Sequence, residues 1–193
     1  MPTSTALTNS DILHLIFEHL IPHPLEGGTY TKETRVDLAR AARVCVAFHE
    51  PAARLLWKDL TSFVTLLKCL PSSLLKCPDI ADGHGLEQTL NGYVVPQEWE
   101  RMRQRAEYVK RLELRGSKDE LGLATWAYLS HLTQDRPLLP NLRWLGCHFD
   151  SPQSTLTIRH LLSPNLTHLS IDCTLPGSVG SEWECALRST FHV

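Results

Sequence analysis

The sequence lacks most of what marks an enzyme, a membrane protein or a nucleic-acid binder. None of its six cysteines, at 45, 69, 77, 147, 173 and 185, stands in a C-x-x-C pair. That spacing pattern suits neither a zinc site nor a redox motif, and a chain of 193 residues needs no disulfide scaffold. There is no P-loop and no G-x-G-x-x-G. Gly177-Ser178-Val179-Gly180-Ser181 is not the G-x-S-x-G of a nucleophile elbow. No apolar run approaches the roughly 18 residues of a membrane span, and the N-terminus has no basic, apolar start of a signal peptide. Basic runs are missing too. Arg101, Arg103, Arg105, Lys110, Arg111 and Arg115 alternate with Glu98, Glu100, Glu107 and Glu113, the pattern of a solvated face. With a net charge of −2, this argues against nucleic acid. The ten histidines hold no ligand spacing, and Pro22 interrupts the His19–His23 pair, so neither metal nor cofactor is expected. A reducing compartment, cytosol or nucleus, follows from the cysteine usage.

What is present begins with two amphipathic stretches and a tryptophan-bearing third, all within 60 residues. Ile12, Leu13, Ile16 and Leu20 fall at helical spacing, broadened by Leu15 and Phe17. Thr8 with Asp11 has the form of a capping box, and Pro22 and Pro24 end the helix. Gly27-Gly28 mark a loop. The spacing of Leu38, Ala41, Ala42, Cys45 and Phe48 predicts a second helix over 33–48. Pro51 suits the first turn of a third, 51–57, which closes on Leu55-Leu56-Trp57. A fourth apolar segment, from Phe63 to Leu70, stops at Pro71. Residues 71–96 read as a loop-rich link with one short strand near Tyr93-Val94-Val95. A helix from Gln97 to about Tyr108 follows, with Trp99, Met102 and Ala106 inward.

The remainder repeats a phrase. Val109-x-x-Leu112-x-Leu114 is followed by Leu142-x-x-Leu145-x-Cys147 and by Leu166-x-x-Leu169-x-Ile171. The gaps are 33 and 24 residues, and the last two copies share the lead-ins Pro140-Asn141 and Pro164-Asn165. L-x-x-L-x-L at about 20–29 residues is the phrase of a leucine-rich repeat, one short strand per copy, and the 33-residue gap would place an extra turn in the first repeat. Leu112, Leu114, Leu142, Leu145, Leu166, Leu169 and Ile171 are expected in the core, with helical or irregular segments at 121–132 and 154–162 between copies. Arg111, Glu113, Arg143, Trp144, Thr167, His168 and Ser170 would face outward. Trp144 is either an exposed anchor or buried against a neighbouring helix. Trp183-Glu184-Cys185-Ala186-Leu187 reads as the start of a further element, so the array is expected to be incomplete with an open end.

The order of the N-terminal phrases resembles the F-box. Asp11 stands at that family's Glu position. Ile12, Leu13, Ile16, Phe17 and Leu20 match its first helix, and Asp37, Leu38, Ala41, Val44 and Cys45 its second. Phe48 takes the aromatic position, and Leu56-Trp57-Lys58-Asp59-Leu60 the closing phrase. Two departures stand out: Thr8-Asn9 replace the usual Leu-Pro, and the link 21–36 is long, an insertion of small entropic cost. Leu60–Leu67 and Glu98–Arg101 also resemble phrases of fungal F-box proteins with a leucine-rich C-terminal half.

The expected fold class is α+β, an N-terminal all-α F-box three-helix module before a short, irregular leucine-rich-repeat-like α/β solenoid. Its parts would be an F-box at 1–60, a helix and loop-rich link at 61–96, and the repeat-like region at 97–193. The resemblance implies a non-catalytic substrate receptor of an SCF-type cullin–RING ubiquitin ligase. Its adaptor contacts would be Ile12, Leu13, Ile16, Phe17, Leu20, Leu38, Val44, Cys45, Phe48, Leu56 and Trp57, docked on a Skp-type adaptor and through it on cullin. Arg111, Glu113, Arg143, Trp144 and His168 would meet the target protein. Any three-helix bundle also needs a core, so about half of the adaptor set serves packing. Three other readings stand beside this one: a leucine-rich interaction scaffold, a truncated receptor acting as competitor, and a small hydrolase on Cys45 and His49. Cys45 is expected in packing, away from any helix terminus that would activate it.

Overall fold

The computed structural model describes residues 9–21, 30–71, 74–76, 89–90, 92–115, 121–134, 136–149 and 157–173. The chain divides into two compact units, Met1–Leu60 and Thr61–Val193. The fold is mixed helix and strand. No described helix is long and apolar enough to cross a membrane.

The first unit holds α1 (Ser10–Leu20), α2 (Lys32–Ala41), α3 (Val46–Lys58) and the two-residue β1 (Asp59–Leu60). Asn9 caps α1: its Oδ1 accepts from the amides of Asp11 (2.9 Å) and Ile12 (3.3 Å), so one side chain just before the helix satisfies two orphan donors. Thr8, the first residue of the expected capping box, lies outside the described residues. Thr31 caps α2 through the Thr34 amide.

The single helix expected over 33–48 is two helices. The chain turns at 42–45, and α3 starts at Val46 and runs through Pro51. Pro51 is therefore the sixth residue of α3 rather than part of its first turn. It forgoes one backbone bond, and its ring is buried.

Helix α3 packs on both α1 and α2. Ile21, Leu38, Ala52 and Leu55 form the core, with Phe17, Tyr30, Ala41, Ala42 and Leu56 against it. The rings of Phe17 and Phe48 meet edge to face at 5.3 Å. Lys58 Nζ reaches Glu18 Oε1 at 2.9 Å, tying the end of α3 to α1. Burial would lower the Lys58 ammonium, but Glu18, Tyr30 and Asp59 outweigh it and hold the group above its usual value. Burial raises the Tyr30 phenol despite Lys58. Arg35 donates to the Asp59 carbonyl at 2.9 Å.

The second unit opens with α4 (Val64–Leu67), which takes up only the middle of the fourth apolar segment. β2 (Leu75–Lys76) and β3 (Thr89–Leu90) form an antiparallel pair. The strand expected at Tyr93–Val95 is absent. Pro96 lacks a donor for a ladder, and it opens α5 (Pro96–Ala106) immediately afterwards. Met102 and Ala106 are buried as expected, while Trp99 is half-buried.

The repeated phrase then forms β4 (Arg111–Arg115), β5 (Trp144–Phe149) and β6 (His168–Cys173), all parallel. Between β4 and β5 runs α6 (Leu123–Thr133), and before β6 lies a 3₁₀ turn over 157–160. Register follows the sequence spacing: Leu112 lies beside Leu145 and Leu145 beside Leu169.

The lead-ins recur as bonds. Asn141 Nδ2 donates to the Glu107 carbonyl (2.8 Å), and Asn165 Nδ2 to the Pro140 carbonyl (2.9 Å). The carbonyls of Lys110 and Arg143 each accept two amides from the next copy. Each copy is thus fastened to its predecessor. Leu112, Leu114, Leu142 and Leu145 are buried as expected. Leu169 is not: it is 38% exposed, and Leu166 and Ile171 are half-buried. β6 is the last strand of the ladder among the described residues, so its inward row has a neighbour on one side only.

Trp126 on α6 is fully buried, between Phe63 (4.9 Å) and the parallel imidazole of His160 (5.9 Å). Ser130 Oγ lies 2.7 Å from His160 Nδ1, and Arg159 Nε donates to Nε2. That donation fixes Nε2 as the acceptor and leaves Nδ1 to donate to Ser130. Burial and, next, Arg159 hold this imidazole below its usual value.

Candidate functional site

Helix α1 carries more apolar residues than one face can hold. At 100° per residue, Leu13, Phe17 and Ile21 form one stripe and Ile12, Ile16 and Leu20 another. The first stripe is inward: Leu13 is 1% exposed and Ile21 is in the core. The second is outward, with Ile12 and Ile16 about 40% exposed and Leu20 at 73%. Leu15, 57% exposed, widens it. A helix serving only its own core needs one stripe, and a second in water signals a surface meant to be covered.

The α2–α3 turn adds a further exposed apolar group, Val44 and Val46. Phe48, two residues on, meets Phe17 and links this turn to the middle of α1. A cleft of about 310 Å³ lies between α1 and α2, floored by Phe17, Ile21, Leu38 and Ala41 and rimmed by Leu20, Thr34 and Asp37.

The expected adaptor set therefore splits. Ile12, Ile16, Leu20, Val44 and Cys45 are exposed. Phe17, Phe48, Leu56 and Trp57 are half-buried. Leu13 and Leu38 are buried and hold the bundle, so they are packing residues rather than surface ones. Pooling Leu13 with Ile12 treated two stripes as one. Leu15 and Val46 belong to the exposed surface and were not among the expected contacts. The signal for Leu15 was present, since it lies three residues from Ile12 on the outward side.

Cys45, expected in packing and away from a helix terminus, is exposed and stands at the N-cap of α3. The His49 ring has Nδ1 at 3.1 Å from the Ala42 carbonyl. That contact engages the nitrogen as a donor.

In the second unit, the outward rows of the sheet place Arg111, Trp144 and His168 side by side, then Glu113, Gly146 and Ser170. Trp144 has neighbours on its own sheet face. Half-buried, its indole lies across Gly146, where an added Cβ would come 2.2 Å from Cη2. The Arg111 guanidinium stands 3.7 Å over the ring centroid, a cation–π contact. Glu113 accepts from Arg115 at 3.0 Å. Arg143 and His168 are exposed, and His168 Nδ1 is 2.9 Å from Thr167 Oγ1.

Comparison with family models, with curated proteins and with solved structures gives no match for this chain.

Proposed function

We propose that this protein is a non-catalytic substrate receptor of the F-box kind. Its first unit docks on a Skp-type adaptor, and through it on cullin, while the outward sheet face of the second unit meets a target protein for ubiquitination. The observation that carries the reading is the second apolar stripe of α1, exposed beside a bundle that already has a core. The phrase order of the sequence agrees with it.

The energetics favour apolar anchors. Burying a Leu or Ile side chain contributes roughly 1.5–3 kcal/mol. Several are needed against an association cost of about 4–15 kcal/mol. Exposed ion pairs such as Arg40–Asp37 contribute about 0–1 kcal/mol each and cannot supply it. Function would then follow from proximity, the tethered target meeting a ubiquitin-charged enzyme at high effective concentration.

The test is co-purification with a Skp-type adaptor. Ile16→Asp and Leu20→Asp place a charge on the exposed stripe and leave the core intact, so the circular dichroism should match wild type while adaptor binding is lost. Adaptor binding by both variants, or none by the wild type, overturns the reading and favours a repeat scaffold without ligase linkage.

A further inference from the structure

One edge of β6 pairs with β5, and among the described residues no strand pairs with the other edge. The His168 amide donates to the Arg143 carbonyl at 3.0 Å, so it points towards β5. Successive amides along a strand point to opposite edges. Those of Leu169 and Ile171 therefore point to the open edge. A row of unpaired N–H and C=O groups is a template for a further strand. Proteins that keep such an edge single block it with lysine, proline or an inward-pointing charge. Residues 166–173 contain no Lys, Arg or Pro. Leu169, 38% exposed, and half-buried Ile171 make the inward row apolar. The one carboxylate, Asp172, lies in the outward row with His168 and Ser170, all three exposed.

We propose that β6 pairs antiparallel with β6 of a second copy of this chain, about a two-fold axis through Ser170. A two-fold contact needs a surface complementary to itself, and this strand has one. The axis sets Leu169 of each copy opposite Ile171 of the other. Their amides already face the edge, so each such pair exchanges both of its N–H···O bonds. The apolar inward row continues into the inward row of the second copy. In the outward row Ser170 meets its own counterpart, a small hydroxyl pair. Asp172 meets His168 of the second copy and not another carboxylate. The contact is built from the second unit alone, and its test does not depend on adaptor docking.

Sedimentation velocity of the full-length chain over a concentration series should show a monomer–dimer equilibrium. Leu169→Lys, at an exposed position, installs an edge-blocking lysine and should raise the dimer dissociation constant by at least about tenfold at unchanged circular dichroism. Ser170→Cys reads the register. Residues facing each other in a non-hydrogen-bonded pair have Cα atoms about 4.5 Å apart, within disulfide reach. Mild oxidation should therefore give a covalent dimer joined through the two introduced thiols, identified by peptide mass. In amide exchange, protection at Leu169 and Ile171 should rise with protein concentration, while His168, already bonded towards β5, stays constant. A monomer at every concentration means the edge is covered otherwise, by this chain or by none, and overturns the pairing. A dimer unaltered by Leu169→Lys, or no disulfide through the introduced thiols, overturns it equally. If Leu169→Lys does not fold, the crosslink decides.

Discussion

Gly146→Ala should be among the most informative single-methyl changes in the chain. Its backbone is ordinary strand, so no conformational demand for glycine is involved. The demand is space: the new Cβ would sit 2.2 Å from Trp144 Cη2, 2.6 Å from Cζ3 and 3.2 Å from Cζ2. Contacts of about 3.5–4.0 Å are optimal between carbons, so the indole must retreat by more than 1 Å. In doing so it leaves the Arg111 guanidinium, a contact worth about 0.5–1 kcal/mol at a partly exposed site. Overpacking adds about 1–3 kcal/mol. Against this, Gly→Ala restricts the unfolded chain and gains about 0.4–1 kcal/mol. The balance is a net loss of about 0.5–3.5 kcal/mol, measured as a lower urea midpoint at unchanged slope. A double-mutant cycle isolates the cause. In a Trp144→Ala background the three nearest atoms to the new methyl are gone, and Gly146→Ala should lose most of its cost. A wild-type-like midpoint for Gly146→Ala, or an equal loss in both backgrounds, refutes the argument.

Two other outcomes follow from the second unit. His160 is held below its usual value by burial and by Arg159, so the native state resists a proton that the unfolded chain accepts. Its contribution is present above the unfolded value of about 6.5 and is lost as pH falls towards the folded one. The urea midpoint should therefore decline on acidification, and the decline should shrink in His160→Gln. Asn141→Ala removes the 2.8 Å bond to the Glu107 carbonyl and should cost about 0.5–1.5 kcal/mol, with Asn165→Ala similar at Pro140. A thermal melt of each variant checks both.

The strands were the most legible part of the sequence. A period of two repeated three times, with gaps of 33 and 24 residues, translates directly into the register of β4, β5 and β6, because parallel copies must align like with like. The shared asparagines were visible as lead-ins, but their bonds to the preceding copy were not, since a side-chain target cannot be read from spacing. The break between α2 and α3 was hidden. Val44-Cys45-Val46 is as apolar as the helices around it and contains neither Gly nor Pro, while the one proline nearby, Pro51, lies inside a helix. On α1 the apolar positions were legible but the side each takes was not. Two stripes about 100° apart merge into one broad face unless the core partners are known, so buried Leu13 and exposed Ile12 read alike. Exposure of Leu169 fits β6 being last in the described ladder, although the repeat phrase alone placed it in the core.

The asparagine bonds give the repeat array a direction. Asn141 and Asn165 each reach back to a carbonyl made earlier in the chain, at Glu107 and Pro140. A nascent chain emerging from the ribosome therefore meets each anchor before the side chain that needs it. Every copy can dock as soon as it is synthesised, on a surface already in place. A circular permutant that moved the first copy to the C-terminus would keep every bond of the final fold and lose that order of assembly.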